Sequence, residues 1–414
     1  MRVLLLTQIL PYPPDSGPKV KTFHLLQHLA RRHEVTLVSL VRSGAEAARA
    51  SELRALCAEV HTVPLPRSRA RDALHLARSF AAGDSFIMRR DDSPELRALL
   101  AGLASRTRFD IVHADQLNMA QYAVGLPAGA RVLDEHNAVW AIVRRMAEHS
   151  GYGRRLFLEL EARRLRRYEA TICARFDALM AVSAPDLALL RLAADEAGVA
   201  LPPTTIIPIA VDARGAPPVA RAEAPLTILS MATMFWPPNI DGVLWFAREV
   251  YPLVRRAVPA ARFAVVGARP PASVRRLAQD DPSIAVTGYV EDPRPFLEQA
   301  AALIVPVRAG GGMRVKILEA LARGLPVVST TIGYEGIALS PGEHLLVGDT
   351  PEAFAQALIR LLRDPAIGRR LAAAGHRVAE EVYDWRVVNR RVDAVYAEAL
   401  ARGAPAEPTV SYDR

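Results

Sequence analysis

Between positions 308 and 319 the chain carries Arg308, three glycines (Gly310, Gly311, Gly312), Met313, Arg314, Lys316 and Glu319. Cations, a backbone free to approach closely, and one carboxylate suit a ligand that bears both phosphates and sugar hydroxyls. The apolar run Ala302–Val307 just ahead reads as a short buried parallel strand. Met313 to Arg323 has the composition of a helix with Val315, Leu318 and Ala322 on one face. Gly324 ends it and Pro326 prevents its continuation. A glycine loop that opens a helix at the carboxyl end of such a strand is an anion site, because free N–H groups and the positive end of the dipole point outward. Arg308 is the first candidate to meet phosphate charge, with Arg314 and Lys316 beside it, although Lys316 suits a solvent-facing position equally. Glu319, further along, is an acceptor for hydroxyls.

The elements that must position these residues alternate along the whole chain. Strand patterns fall at Val3–Thr7, Glu34–Leu40, Val60–Pro64, Ile111–His113, Arg131–Glu135, Ala178–Val182 and Thr204–Pro208. A second series follows at Leu226–Met231, Ala261–Gly267, Ile284–Gly288, Ala302–Pro306, Pro326–Ser329 and Leu345–Val347. Helical patterns fill most gaps, including Lys21–Arg32 and Ala45–Ala58. This alternation predicts doubly wound parallel α/β sheets, and Val211–Pro225, rich in Ala, Pro, Arg and Gly, reads as the linker between two of them.

With 414 residues, half of them hydrophobic, the chain has room for two to three ordinary globular domains. The net charge of +8 allows nucleic acid, an anionic membrane or phosphorylated substrates. No aromatic-interleaved basic stripe or zinc-finger spacing supports the first, so no nucleic-acid partner is expected. Cys57 and Cys173 form no motif, as in a reducing compartment. Met1–Leu10 is short for a signal peptide and Ala224–Ile240 short for a membrane span, so a cytoplasmic location is expected. Arg154 to Arg175 reads as a basic helix with Leu156, Phe157, Leu160 and Leu165. It suits either peripheral contact with an anionic membrane through Arg154–Arg167 or a solvated face on which Glu159, Glu161 and Glu169 make ion pairs.

The stretch Glu319-Ala-Leu-Ala-Arg-Gly-Leu-Pro-Val-Val328 resembles the donor-binding signature of GT-B glycosyltransferases of the large retaining family four. Most members carry a second glutamate where this chain has Gly311, so the chain is similar to the sub-group with Gly-Gly-Gly-x-Arg-x-Lys there. The resemblance implies a GT-B fold, with two Rossmann-like domains facing across a cleft. Residues 1–212 would form the acceptor-side domain, 213–384 the nucleotide-sugar domain, 385–403 a helix crossing back to the first domain, and 404–414 a loose tail. It also implies transfer of a sugar from a nucleotide-diphosphate sugar to a hydroxyl acceptor (a polysaccharide, glycolipid or natural-product precursor) with retention. No cofactor is expected, and no Asp-x-Asp pair marks a metal. A sugar-nucleotide 2-epimerase of the same fold and an inactive nucleotide-sugar-binding partner subunit stand as alternatives.

Several further residues take roles from the resemblance. Gly17, in the loop after the first strand, falls where relatives approach the donor's phosphate, but Pro18 lacks an N–H and the segment equally reads as a rigid turn. His136, after Arg131–Glu135, matches the histidine beside the transferred sugar, with Asp134 or Glu135 as holders of its second nitrogen. His113 suits a structural or acceptor-side role. Tyr289 and Val290 fall at the turn against which the nucleobase lies. Trp236 reads as core cover and Asn239 and Asp241 as caps of the next helix. Glu335 suits either a donor hydroxyl or its own loop.

Overall fold

A computed structural model describes residues 1–148, 150–221, 226–234 and 236–403. The tail 404–414 and the end of the linker, 222–225, lie outside the described residues. The chain divides into two units: Met1–Pro208 joined by the C-terminal segment from Asn389, and Ile209–Val388. The division falls at Ile209 because the next residues pair within the second unit. Val211 N–H donates to Tyr383 O at 2.9 Å and Trp385 N–H to Val211 O at 3.0 Å.

The first unit is a seven-stranded parallel sheet of β1 (Arg2–Thr7), β2 (Glu34–Val41), β3 (Glu59–Pro64), β4 (Phe109–Asp115), β5 (Ala128–Glu135), β6 (Ala178–Ala181) and β7 (Thr204–Ile206). The strand order is β3-β2-β1-β4-β5-β6-β7. Val3, Leu4, Leu5 and Leu6 are all fully buried, as expected for a central strand covered on both faces. The order reverses between β1 and β4, so the crevice beyond Thr7 and Asp115 is the switch point of this sheet.

The second unit is a six-stranded parallel sheet of β8 (Thr227–Met231), β9 (Arg262–Val266), β10 (Ile284–Val286), β11 (Ala300–Val305), β12 (Val327–Ser329) and β13 (Leu346–Val347), ordered β10-β9-β8-β11-β12-β13. Its switch point lies between β8 and β11. Phe246 packs on Phe263 with ring centroids 4.7 Å apart, and Trp245, Tyr251 and Phe354 complete that core.

The helix Trp385–Gly403 starts in the second unit and continues in the first. There it buries Val392, Val395 and Tyr396, and the Tyr396 hydroxyl meets His113 Nδ1 at 2.8 Å. His113 is therefore a structural anchor of that helix.

Two helix expectations need correction. The segment 45–58 forms only a short helix, Gly44–Ala48, and a 3-10 turn, Arg49–Leu53. Only Ala50 and Leu53 reach the core there, too little buried face to hold a long helix. The basic helix forms as Tyr152–Cys173, but Glu161 and Glu169 are buried rather than solvated. Glu161 accepts from Ser85 Oγ and from Phe86 and Ile87 N–H. Glu169 accepts from Val139 and Trp140 N–H, at the start of the helix Val139–Glu148. Both carboxylates satisfy the open amides of a neighbouring helix start. Glu159 alone of the three pairs on the surface, with Arg155 at 2.7 Å. No helix among the described residues is long and apolar enough to cross a membrane.

Candidate functional site

In the second unit the loop after β11 leads into the helix Val315–Ala322. Gly310 (φ +114°) and Gly312 (φ +82°) take left-handed conformations that other residues adopt at a cost. Arg314 curls back to donate to the carbonyls of Gly311 and Gly312, fixing the loop from within. As the N-cap residue it offers no side-chain acceptor, so no cap blocks the first amides of the helix. Met313 is only 7% exposed, which leaves its backbone rather than its side chain to meet a ligand.

Ile317, Leu318 and Leu321 bury one side of that helix, while Val315, expected among them, is half-buried. Lys316 and Glu319 lie off the buried face. Lys316 is half-buried and donates to Asn239 Oδ1 at 3.0 Å, and desolvation together with Arg314 lowers its pKa to about 7. Glu319 keeps solvent contact, yet the surrounding protein desolvates it enough to raise its pKa, against the opposing pull of Arg323 and Lys316. A carboxylate that is open to solvent yet crowded by protein occupies a recess, where hydroxyls of a ligand can compete with water.

Asn239 and Asp241 do not cap a helix. They lie inside the helix Pro237–Trp245, whose N-cap is Trp236. Asn239 reaches Lys316, and Asp241 takes Arg308 in a two-point pair at 2.8 and 3.1 Å. Arg308 also stacks over Trp245, 5.5 Å from the ring centre. Trp245, not Trp236, fills the core position, and Trp236 is 39% exposed. Gly242 brings this helix against the end of β11: a Cβ there would sit 2.4 Å from Pro306 O. Arg308, Arg314, Lys316 and the glycine loop thus gather at the switch point with the loop after β8. Tyr289 and Val290 lie apart, after edge strand β10. Tyr289 is 78% exposed and Val290 half-buried. Glu335 is half-buried in the turn after β12.

At the carboxyl edge of the first unit's sheet, Gly17 opens the helix Gly17–Ala30. No side chain caps this helix, and Pro18 occupies its first turn. Lys21 and Thr22 of this helix point inward and are buried. Lys21 pairs with Asp134, and Thr22 donates to both Asp115 oxygens at 3.0 and 3.1 Å. His136 is 4% exposed, with Nε2 on Asp115 Oδ1 at 3.0 Å and 3.7 Å from Asp134. Burial works against the charged imidazole, as does Lys21, but Asp115 and Asp134 together outweigh them and the His136 pKa is raised. Asp134 shows the converse: burial would raise its pKa, but Lys21 and His136 hold it low. Burial lowers the His113 pKa.

The principal holder of His136 is thus Asp115, which the sequence reading missed, along with Lys21 and Thr22. A lysine next to Val20 on a helix face otherwise turned to the core was the available signal. Glu135 points to the opposite face of its strand, toward Cys173 Sγ at 3.6 Å and Glu169. Ligand atoms of His113, Asp115 and Asp134 lie within 4.8 Å of one another. The Lys21 ammonium on Asp134 already supplies the cation that such a cluster would bind.

Residues 225–364 match the family model described as Glycosyl transferases group 1. An uncharacterized 44.6 kDa protein of the cps region of Klebsiella pneumoniae is 23% identical over 39% of this chain and 43% of its own length. The GDP-mannose-dependent monoacylated alpha-(1-6)-phosphatidylinositol monomannoside mannosyltransferase of Corynebacterium glutamicum is 32% identical over 35% of this chain and 41% of its own. The chain thus spans less than half the length of these curated relatives. Among solved structures, Anabaena HepE in complex with UDP and glucose superposes with a TM-score of 0.66 at 14% identity, covering 96% of this chain and 99% of that one. The chain therefore has the GT-B fold, and its second unit carries a segment that matches the group 1 glycosyltransferases.

Proposed function

We propose that the chain is a metal-independent glycosyltransferase that moves a sugar from a nucleotide-diphosphate sugar to a hydroxyl acceptor, with retention. The observation that carries this reading is the uncapped glycine-loop helix at the second switch point, with Lys316 and Glu319 off its buried face, inside the segment similar to group 1 glycosyltransferases. Loss of the diphosphate needs its growing charge offset. Lys316, Arg314, Arg308 and the amides of Gly311, Gly312 and Met313 supply that offset, with Gly17 as a further backbone contact. Phosphate would compete with Asp241 for Arg308. Glu319 accepts from the ribose hydroxyls, and the turn at Tyr289 and Val290 receives the base. In the retaining reaction the leaving phosphate takes the proton of the incoming hydroxyl on the same face, so no protein nucleophile is required.

His136 is assigned to the transferred sugar. Asp115 occupies its Nε2, and Nδ1, without a partner among the described residues, is the atom left for a hydroxyl. The relatives' names include a GDP-mannose-dependent enzyme and a structure with UDP and glucose, so both bases belong in the test. A cytoplasmic protein touching the membrane through Arg154–Arg167 is the matching location. Exposed Tyr152 and Leu156 beside Arg154 and Arg155 support that contact.

The test is incubation of the full chain with UDP-, GDP- and ADP-sugars in EDTA, with products separated by chromatography. Release of nucleoside diphosphate supports the reading. An epimerised donor would replace it with the epimerase, and no turnover despite nucleotide binding with the inactive partner subunit.

A further inference from the structure

A cavity of about 620 Å³ opens in the second unit, away from the glycine loop. Ala301, near the start of β11, and Gly324, ahead of β12, both line it, so it lies at the amino ends of strands whose carboxyl ends carry the proposed donor site. Its size falls within the roughly 300–1,000 Å³ of small-molecule pockets. Pro218, Leu361 and Ala372 give it apolar walls, and Arg221, Arg369 and Arg377 line it as well.

Among the described residues no carboxylate pairs with any of these three arginines. Elsewhere in the same unit arginines are neutralised, as Arg386 is by Asp212 and Asp384 and Arg308 by Asp241. Two acids of the described residues close in sequence to the cavity lining are otherwise engaged. Asp364 caps the helix Pro365–Glu381 through Ala366 N–H at 2.9 Å, and Glu380 faces His376 at 3.6 Å. Burial lowers the Arg221 pKa, and the like charge of Arg369 lowers it further. Like charges beside an apolar recess, with no counter-ion among the described residues, are relieved by an anion that brings its own apolar part.

We propose that this cavity is a second ligand site, for a phosphate monoester whose remaining part is apolar, held by Arg221, Arg369 and Arg377 and seated on Pro218, Leu361 and Ala372. Calorimetric titration of the full chain with octyl phosphate, kept below its micelle-forming concentration, tests this beside inorganic phosphate as the free-anion arm. The expected result is saturable binding of one octyl phosphate, at least about tenfold weaker for inorganic phosphate and for the Arg221→Gln/Arg369→Gln double variant. Lys316→Met is expected to bind octyl phosphate as the parent chain does, which separates this site from the glycine loop. No binding of octyl phosphate, equal affinity for inorganic phosphate, or unchanged affinity in the double variant would each overturn the proposal.

Discussion

Lys316 donates to the Asn239 side chain at 3.0 Å, although 77 residues separate the two in sequence. The contact joins the helix after the glycine loop to the helix after β8, and β8 and β11 are the neighbouring strands between which the sheet order reverses. A cation at that crevice, partly desolvated, is placed for an anion and is titratable near neutral pH.

The lowered Lys316 pKa of about 7 makes diphosphate binding dependent on pH. A bound diphosphate favours the ammonium, so binding takes up a proton above neutrality. Affinity for a nucleoside diphosphate should fall between about pH 7 and 9, by up to about tenfold per unit. The terminal phosphate of a free nucleoside diphosphate still loses a proton near neutrality, so a nucleotide sugar, whose diphosphate is a diester, is titrated beside it as the ligand without its own proton. Calorimetry in buffers of different ionisation heat reads the proton directly. Lys316→Met should bind weakly and without the slope, and a flat profile in the parent chain would refute the assignment. The linked stability change has a definite sign: the unfolded lysine holds its proton up to about 10.4, so this contribution rises with pH from about 7 upward.

Arg308 and Arg314 should separate. Arg308 is exposed in its pair with Asp241, so Arg308→Ala should cost under about 1 kcal/mol of stability. It should weaken a nucleoside diphosphate several-fold and leave the free nucleoside unaffected. Arg314→Ala also releases the Gly311 and Gly312 carbonyls and should weaken both ligands and lower Tm. Equal effects of the two variants on both ligands would show that Arg308 acts on the fold.

The strand framework was legible because each parallel strand is a short apolar run between breakers. Ala302–Pro306, read from sequence, is found as Ala300–Val305, and Leu226–Met231 as Thr227–Met231. The glycine loop was legible for the same local reason. Partners set by strand order or by helix packing were not. Asp115 holds His136 because β4 lies beside β5 with Asp115 in register with Asp134, and nothing within either segment announces that neighbour. Glu161 and Glu169 read as surface charges among arginines, since helical spacing does not reveal which face a second helix start will cover. Trp236 reads as core cover, yet Trp245, at the other end of the same helix, fills the core by packing on Phe354, a partner set by the fold.

His136→Ala should abolish most turnover while nucleotide binding by the second unit stays within about twofold of the parent value. It also strips buried Asp115 of one partner, leaving Thr22 and a long contact from Gln116 Nε2 at 3.5 Å, and should cost about 1–3 kcal/mol. Asp115→Asn, which keeps the shape but lowers the basicity of the ring, should shift the pH–rate profile toward acid. Steady-state kinetics on both variants, with nucleotide affinity measured separately, decide it. Near-normal turnover of His136→Ala would make the histidine structural.

Glu135 and Glu169 are buried beside one another, and burial plus mutual repulsion raise the Glu135 pKa. Burial likewise raises that of Glu169, against its two amide donors. For carboxyls raised in the folded state, the contribution to stability is intact below the unfolded value of about 4.3 and is lost as pH rises through the folded ones. Glu135→Gln removes one of the two charges. Its Tm relative to the parent chain should therefore increase steadily between about pH 5.5 and 8.5. A Tm difference independent of pH would mean that burial and the neighbouring carboxylate do not raise the Glu135 pKa.

We propose above that Glu319 and the helix behind the glycine loop receive the nucleotide of a sugar donor. Titration of UDP and GDP into the parent chain and into Glu319→Gln, followed by calorimetry, tests it most directly. A ribose hydroxyl bonded to a carboxylate gains about 1.5–3 kcal/mol, so the variant should bind its preferred nucleotide about ten- to a hundredfold more weakly. Its Tm should not fall, because Glu319 lies off the buried face of its helix and its surroundings disfavour the charge that Gln removes. Tight nucleotide binding that is indifferent to Glu319→Gln would mean that the ribose is held elsewhere.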